Sequence, residues 1–137
     1  MNDITFKHGV ICDDIREEKN GKFLIVGMYT GALVALQLPV QIQIAFGVWA
    51  VVDGPGSYEC EFEFVLEPDA TIVGRVAAKF QIAQGDNKIF INLPKIAANI
   101  ESEGYLVLRE TKTEKEIIRL KVTTQPNGDL PHSSLIS

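Results

Sequence analysis

From Ser57 to Glu67 the side chains alternate with a period of two. Tyr58, Cys60, Phe62, Phe64 and Leu66 take one side, and Ser57, Glu59, Glu61, Glu63 and Glu67 take the other. Successive side chains of a strand point to opposite faces, so the spacing gathers the apolar groups on one face and the glutamates on the other. A helix, at about 3.6 residues per turn, would scatter the glutamates around its surface. Val40–Val52 repeats the pattern. Val40, Ile42, Ile44, Phe46 and Val48 face in, while Gln41, Gln43, Gly47 and Trp49 face out. Asp53-Gly54-Pro55-Gly56 lies between the two runs and has the composition of a turn. Even-numbered residues point inward in both runs, which predicts a hairpin with Val52 opposite Tyr58 or Gly56; taking Tyr58 puts Trp49 opposite Glu61.

Ile72–Ala83 keeps the same phase through Ile72, Val76, Ala78, Phe80 and Ile82. Setting Leu66 opposite Ile72 across the turn at Glu67–Thr71 brings Glu63 opposite Arg75 and Glu59 opposite Lys79. Each such cross-strand pair contributes only about 0.2–1 kcal/mol, but both support an antiparallel meander. After a turn at Gln84–Asn87, Lys88–Leu93 reads as a short strand with Ile89, Ile91 and Leu93 on one face. Pro94–Ser102 reads either as a helical turn or as an irregular link. Gly104–Glu110 and Lys115–Thr123 are the last strands, with Leu106, Leu108, Ile118, Leu120 and Val122 as core candidates.

At the front, Thr5–Cys12 reads as a strand. Lys22–Thr30 reads as another, apolar on both faces as in a central strand, and Asn20-Gly21 is a turn signal before it. Gly31–Leu38 either continues that strand or forms an edge before Pro39. The expected fold is all-β, an antiparallel two-sheet sandwich of seven to eight strands, immunoglobulin-like or jelly-roll-like. Residues 1–123 form one domain, and 124–137, which include His132, form a polar tail outside the sheets.

A chain of 137 residues is domain-sized and buries roughly two thirds of its unfolded surface, enough for a core without metal or disulfide staples. A net charge of -5 with 13 basic residues spread along the chain argues against a nucleic-acid partner, which needs clustered Lys and Arg. Cys12 and Cys60 are too few for a disulfide framework or a thiolate cage, and no cofactor is expected. Met1–Asp14 lacks the pattern of a secretory signal, and Val40–Val52 is short of the roughly 20 residues of a membrane helix. The expectation is a cytoplasmic protein with reduced thiols.

Ile11-Cys12-Asp13-Asp14-Ile15-Arg16, Asn20-Gly21-Lys22, Ile25-Val26-Gly27-Met28-Tyr29 and Glu103-Gly104-Tyr105 resemble the elements of an uncharacterised bacterial domain family. In that family a Cys-acidic pair, a basic residue, an Asn-Gly-Lys turn and a Gly-aromatic step recur. The likeness covers about a third of the chain in short pieces. It implies a β-sandwich with no assigned function, and it supplies no catalytic residue.

Asp13, Asp14, Glu17 and Glu18 concentrate carboxylates in one predicted loop. Calcium takes six to eight oxygens, so a divalent-cation or small-ligand site is one reading. The plainer reading is a capped turn with solvated glutamates, because the Asp-x-Asp-x-Asp-Gly spacing of a dedicated calcium loop is missing. His8 and Cys12 share a strand face but stand four residues apart, about 13 Å, too far for a nucleophile–base pair. Cys60 alternates with inward aromatics and reads as a core residue. No nucleophile elbow, phosphate-binding loop, zinc-helix or dinucleotide fingerprint occurs.

Trp49 faces out, beside Val51, Ala45 and Gly47, and forms a partly apolar strip. Such strips mark protein contacts unless the chain covers them itself, here through Pro94–Ser102. The function expected first is a non-enzymatic interaction or assembly module, self-associating through the Trp49 face or an open sheet edge. A ligand- or cation-binding domain using residues 13–18 comes second, and an enzyme last.

Overall fold

A computed structural model describes residues 4–84, 87–125 and 135–136 of the chain. No helix occurs among these residues. The strands are β1 (Ile4–Glu17), β2 (Phe23–Met28), β3 (Ala32–Ala35), β4 (Val40–Val52), β5 (Gly56–Glu67), β6 (Thr71–Ile82), β7 (Lys88–Ile100), β8 (Gly104–Glu110) and β9 (Glu116–Thr124), with a two-residue β10 (Leu135–Ile136). They form two sheets, ordered β2-β1-β4-β7 and β10-β3-β9-β8-β5-β6. The strand count therefore exceeds the seven to eight expected. Pairing is not antiparallel throughout, because β3 runs parallel to both β9 and β10. The backbone of Leu135–Ile136 thus lies on the sheet, whereas His132 falls outside the described residues.

The dry faces of the two long central runs meet. Phe46 of β4 contacts Phe62 and Phe64 of β5 edge-to-face, at centroid distances of 6.4 and 4.7 Å. Phe46, Phe62 and Phe64 are fully buried, with Ile11, Leu33, Ile44, Leu66, Leu106, Leu108 and Leu120 around them. Each buried aromatic or leucine stabilises by about 1.5–3 kcal/mol relative to exposure, which is why alternation decides orientation.

The expected β4–β5 hairpin does not form. β4 pairs with β1 and β7, while β5 pairs with β6 and β8. Even-inward parity is satisfied as well by two strands facing each other across a core as by two strands side by side. The link at Asp53–Pro55 therefore crosses between sheets, and Trp49 lies opposite His8 and Phe90, not Glu61.

The β5–β6 register has Glu59 opposite Lys79 and Glu63 opposite Arg75, as expected. A shift between Phe64 and Val65 then sets Ile72 opposite Val65 rather than Leu66. One inserted residue reverses the faces, so Ile72 is exposed and Val73 packs against the core.

β7 continues to Ile100, which makes Pro94–Ser102 mostly strand. Ile44 opposes Ile96 and Phe46 opposes Leu93, so Pro94 and Lys95 together face Ala45. This bulge switches the inward set from Ile89, Ile91 and Leu93 to Ile96, Ala98 and Ile100, and it places proline where no ladder N–H is needed. The switch in parity is what hid the strand in the sequence.

β1 reaches Glu17, so the predicted loop from Asp13 onward shrinks to a short turn. Gly21 N–H donates to Glu18 O at 3.1 Å, and Glu18 N–H donates to Lys22 O at 2.7 Å. Gly21 has φ +82°, a left-handed conformation that this turn requires and that glycine adopts without strain. β2 is an edge strand, not a central one.

Candidate functional site

The outer face of the four-stranded sheet carries a row of rings. His8 on β1, Trp49 on β4 and Phe90 on β7 stand directly opposite one another on adjacent strands. The His8–Trp49 and Trp49–Phe90 centroids are 4.8 and 4.5 Å apart. A register shift between Phe6 and His8 brings His8 onto this face. Gly47, one step along β4 from the ring row, has no side chain because Phe90 lies over it. A Cβ there would run into the Phe90 ring.

Beyond Cys12, β1 leaves β4 and pairs only with β2. The free half of this hairpin turns across the sheet. Ile15, Phe23 and Ile25 pack with Val10, Cys12 and Ala45 and with Trp49 and Phe90. Phe23 meets Phe90 edge-to-face at 4.8 Å. Asp14 ties the hairpin down, accepting from Arg16 at 3.0 Å and from Lys95 of β7 at 3.3 Å. The hydrogen bond from Arg16 and the nearby Lys95 ammonium hold the Asp14 carboxyl below the ordinary carboxylate value.

The strip expected around Trp49 is thus divided. Ala45 and Gly47 are buried, covered by the β1–β2 hairpin and Phe90 rather than by Pro94–Ser102. Trp49 and Val51 stay half-buried. They line a groove of about 470 Å³ with His8 and Phe90, and Lys7 and Lys88 also line it. Sequence reasoning found Trp49 but missed His8 and Phe90 beside it. Phe90 was readable as outward, since Ile89 and Ile91 point in. Its position next to Trp49 depends on a pairing between residues 41 apart in the chain.

The acidic residues do not converge. Asp13 is exposed, and its Oδ1 accepts from the Tyr29 hydroxyl at 3.4 Å. Burial first, then the Asp13 charge, pushes the Tyr29 hydroxyl well above its usual range. Asp14 is engaged with two cations, Glu17 stands opposite Phe23, and Glu18 opens the turn. Among the described residues no group of three His, Cys, Asp or Glu side chains is placed to hold a metal ion.

Cys12 is fully buried beneath the hairpin, and burial pushes its thiol up to about 11. Burial likewise pushes the Cys60 thiol up to about 12. Both stay protonated at neutral pH, and a thiol is a far weaker nucleophile than a thiolate.

On the other outer face, Glu63 is buried between Arg109 at 2.7 Å and Arg75 at 3.5 Å. Arg119 joins Glu67 and Glu116 at 2.7 and 2.6 Å. Glu110 is also buried. It accepts from the backbone N–H of Thr113 at 3.1 Å and from the Thr113 hydroxyl at 2.7 Å, which closes the β8–β9 turn. These carboxylates have structural partners. No helix among the described residues is long and apolar enough to cross a membrane.

The chain belongs to a family of unknown function, DUF6941, whose model matches residues 7–122. No curated protein matches the chain.

Proposed function

We propose that this member of the family is a non-enzymatic interaction module that holds a protein partner against the His8–Trp49–Phe90 groove. The observation that carries this reading is the aromatic row, half-covered by the chain's own hairpin and left open toward Lys7 and Lys88. Rigid aromatic surface, tryptophan above all, is what binding hot spots are enriched in. The two lysines favour a partner segment whose apolar side chains are flanked by acidic ones. The non-enzymatic part is supported by the protonated thiols and by the ion-paired state of Asp14. Free Cys12 and Cys60 support a cytoplasmic setting with reduced thiols. A sandwich architecture is supported by the single core that β4 and β5 share.

The test is affinity capture from an extract of the native host with the wild-type chain, Trp49→Ala and, as a surface control, Arg75→Ala. The expected result is a partner retained by wild type and Arg75→Ala and lost with Trp49→Ala. Retention of the same proteins by Trp49→Ala at unchanged stability overturns the reading.

A further inference from the structure

We infer that the free half of the β1–β2 hairpin, from Asp14 to Val26, is a lid that lifts from the four-stranded sheet and sets how much of the aromatic row is open. Its consequence for binding rests on the groove reading above, and the motion itself does not.

The position of the hinge follows from the pairing. β1 is held by β4 as far as Cys12, which lies opposite Ala45, and beyond that point β1 pairs with β2 alone. β2 has no other neighbour among the described strands. The hairpin's own ladder is interrupted at the same level. Cys12 pairs with Met28 and Asp14 with Val26, but Asp13 is not paired with Gly27. Gly27 has φ +67°, a left-handed conformation that glycine adopts at little cost. A Cβ there would also run into the Asp13 side chain. Asp13 itself is tied to the body, since it accepts from the hydroxyl of the buried Tyr29. The break in the ladder thus coincides with the last residue that joins the hairpin to β4. Past it, among the described residues, the lid has no strand pairing outside the hairpin to give up.

The side-chain ties that hold the lid down are few. Ile15, Phe23 and Ile25 lie on Val10, Cys12 and Ala45, in a small cluster separate from the main core. Phe23 and Ile25 are only half-buried. Among the described residues Asp14–Lys95 is the one ion pair between lid and body, and its Lys95 side chain is 47% exposed, so water competes for it. A segment with few buried apolar contacts opens at a lower free energy than the whole fold.

The surface beneath gives the motion its effect. Trp49 and Phe90 belong both to the covered cluster and to the groove. Lifting the lid therefore adds Val10, Cys12 and Ala45 to the groove without a gap. A partner that uses this longer apolar floor binds the open form, and whatever tightens the lid weakens it in proportion.

Cys12 is fully buried under the lid and reports its opening. The chain has two cysteines, so Cys60→Ala leaves Cys12 as the sole thiol. The test is labelling of that protein by a thiol reagent across urea concentrations below the unfolding transition. Cys12 is expected to react at least about a hundredfold faster than global unfolding permits, with roughly a third or less of its urea dependence. Adding Phe23→Ala speeds labelling about tenfold, or about 1.4 kcal/mol. Adding Lys95→Ala speeds it about two- to threefold at an unchanged melting temperature. Labelling of Cys12 only at the rate and urea dependence of global unfolding overturns the inference. So does labelling that neither variant accelerates. The measurement uses the chain alone, so a groove that retains no partner leaves its outcome unchanged.

Discussion

On the outer face of the six-stranded sheet, Glu63 sits between Arg75 and Arg109, and Arg119 bridges Glu67 and Glu116. On the outer face of the four-stranded sheet the central positions hold His8, Trp49 and Phe90, with a hairpin folded over part of them. Both faces come from strands that alternate dry and wet side chains. The charged face needs no cover, because the buried Glu63 is neutralised by Arg75 and Arg109, which themselves reach water, and each exposed pair adds little stability. The aromatic face gains free energy from every part removed from water. The chain covers what the β1–β2 hairpin can reach, and the remainder stays available for binding. A face left charged is finished within the monomer, whereas a face left apolar has surface still to bury.

Four substitutions probe that contrast, from the largest expected effect to the smallest. Gly47→Val drives a branched side chain into the Phe90 ring. It is expected to cost about 2–3 kcal/mol in urea unfolding, the scale of overpacking in a well-filled site. If Gly47→Val unfolds at the wild-type urea midpoint, the aromatic row is not packed as described. Phe23→Ala lifts the hairpin's main contact with Phe90. A half-buried aromatic of this kind contributes about 1–2 kcal/mol. Its distinguishing readout is thiol labelling at pH 8. Cys12 becomes reactive in the folded variant, while Cys60 stays as slow as in wild type.

On the charged face, Glu63→Gln leaves Arg75 and Arg109 without their shared carboxylate. Both arginines keep access to water, so a loss of only about 1 kcal/mol is expected from thermal unfolding. A larger loss than that of Phe23→Ala would reverse the ranking of the two faces. The smallest effect belongs to Asp14. Its carboxyl is held below the ordinary value when folded, so its stabilising contribution is present above the unfolded-state value. That contribution fades as pH falls through the depressed one. Asp14→Asn should flatten the acid limb of melting temperature against pH between about pH 2 and pH 5 and leave values near neutrality almost unchanged. An identical acid limb in both proteins would mean that Asp14 does not clamp the hairpin.

Alternation was enough to read the inward faces of β4 and β5 and the Glu59–Lys79 and Glu63–Arg75 register. These features repeat locally, and each carries its own period. Ile72 and Pro94–Ser102 were misread where single-residue shifts reverse parity, because a bulge leaves no mark in composition. Lys22–Thr30 was taken for a central strand since both its sides are apolar. One side lies against the aromatic row, and the other, at Leu24, Val26 and Met28, is in water. Asp13–Glu18 looked like a loop able to gather oxygens, yet strand geometry sends neighbouring carboxylates to opposite faces.

By itself the sequence determined that the chain is all-β, which residues of its middle strands are dry, and that Trp49 points away from the core. Side-chain direction along a strand is a local property with a period of two, and it needs no knowledge of neighbours. Only the tertiary structure decided which strands are neighbours. It separated β4 from β5, brought His8 and Phe90 to Trp49, and left β2 at an edge. A strand's hydrogen-bonding groups are the same whatever strand they meet, so partner choice rests on burial summed over the whole fold.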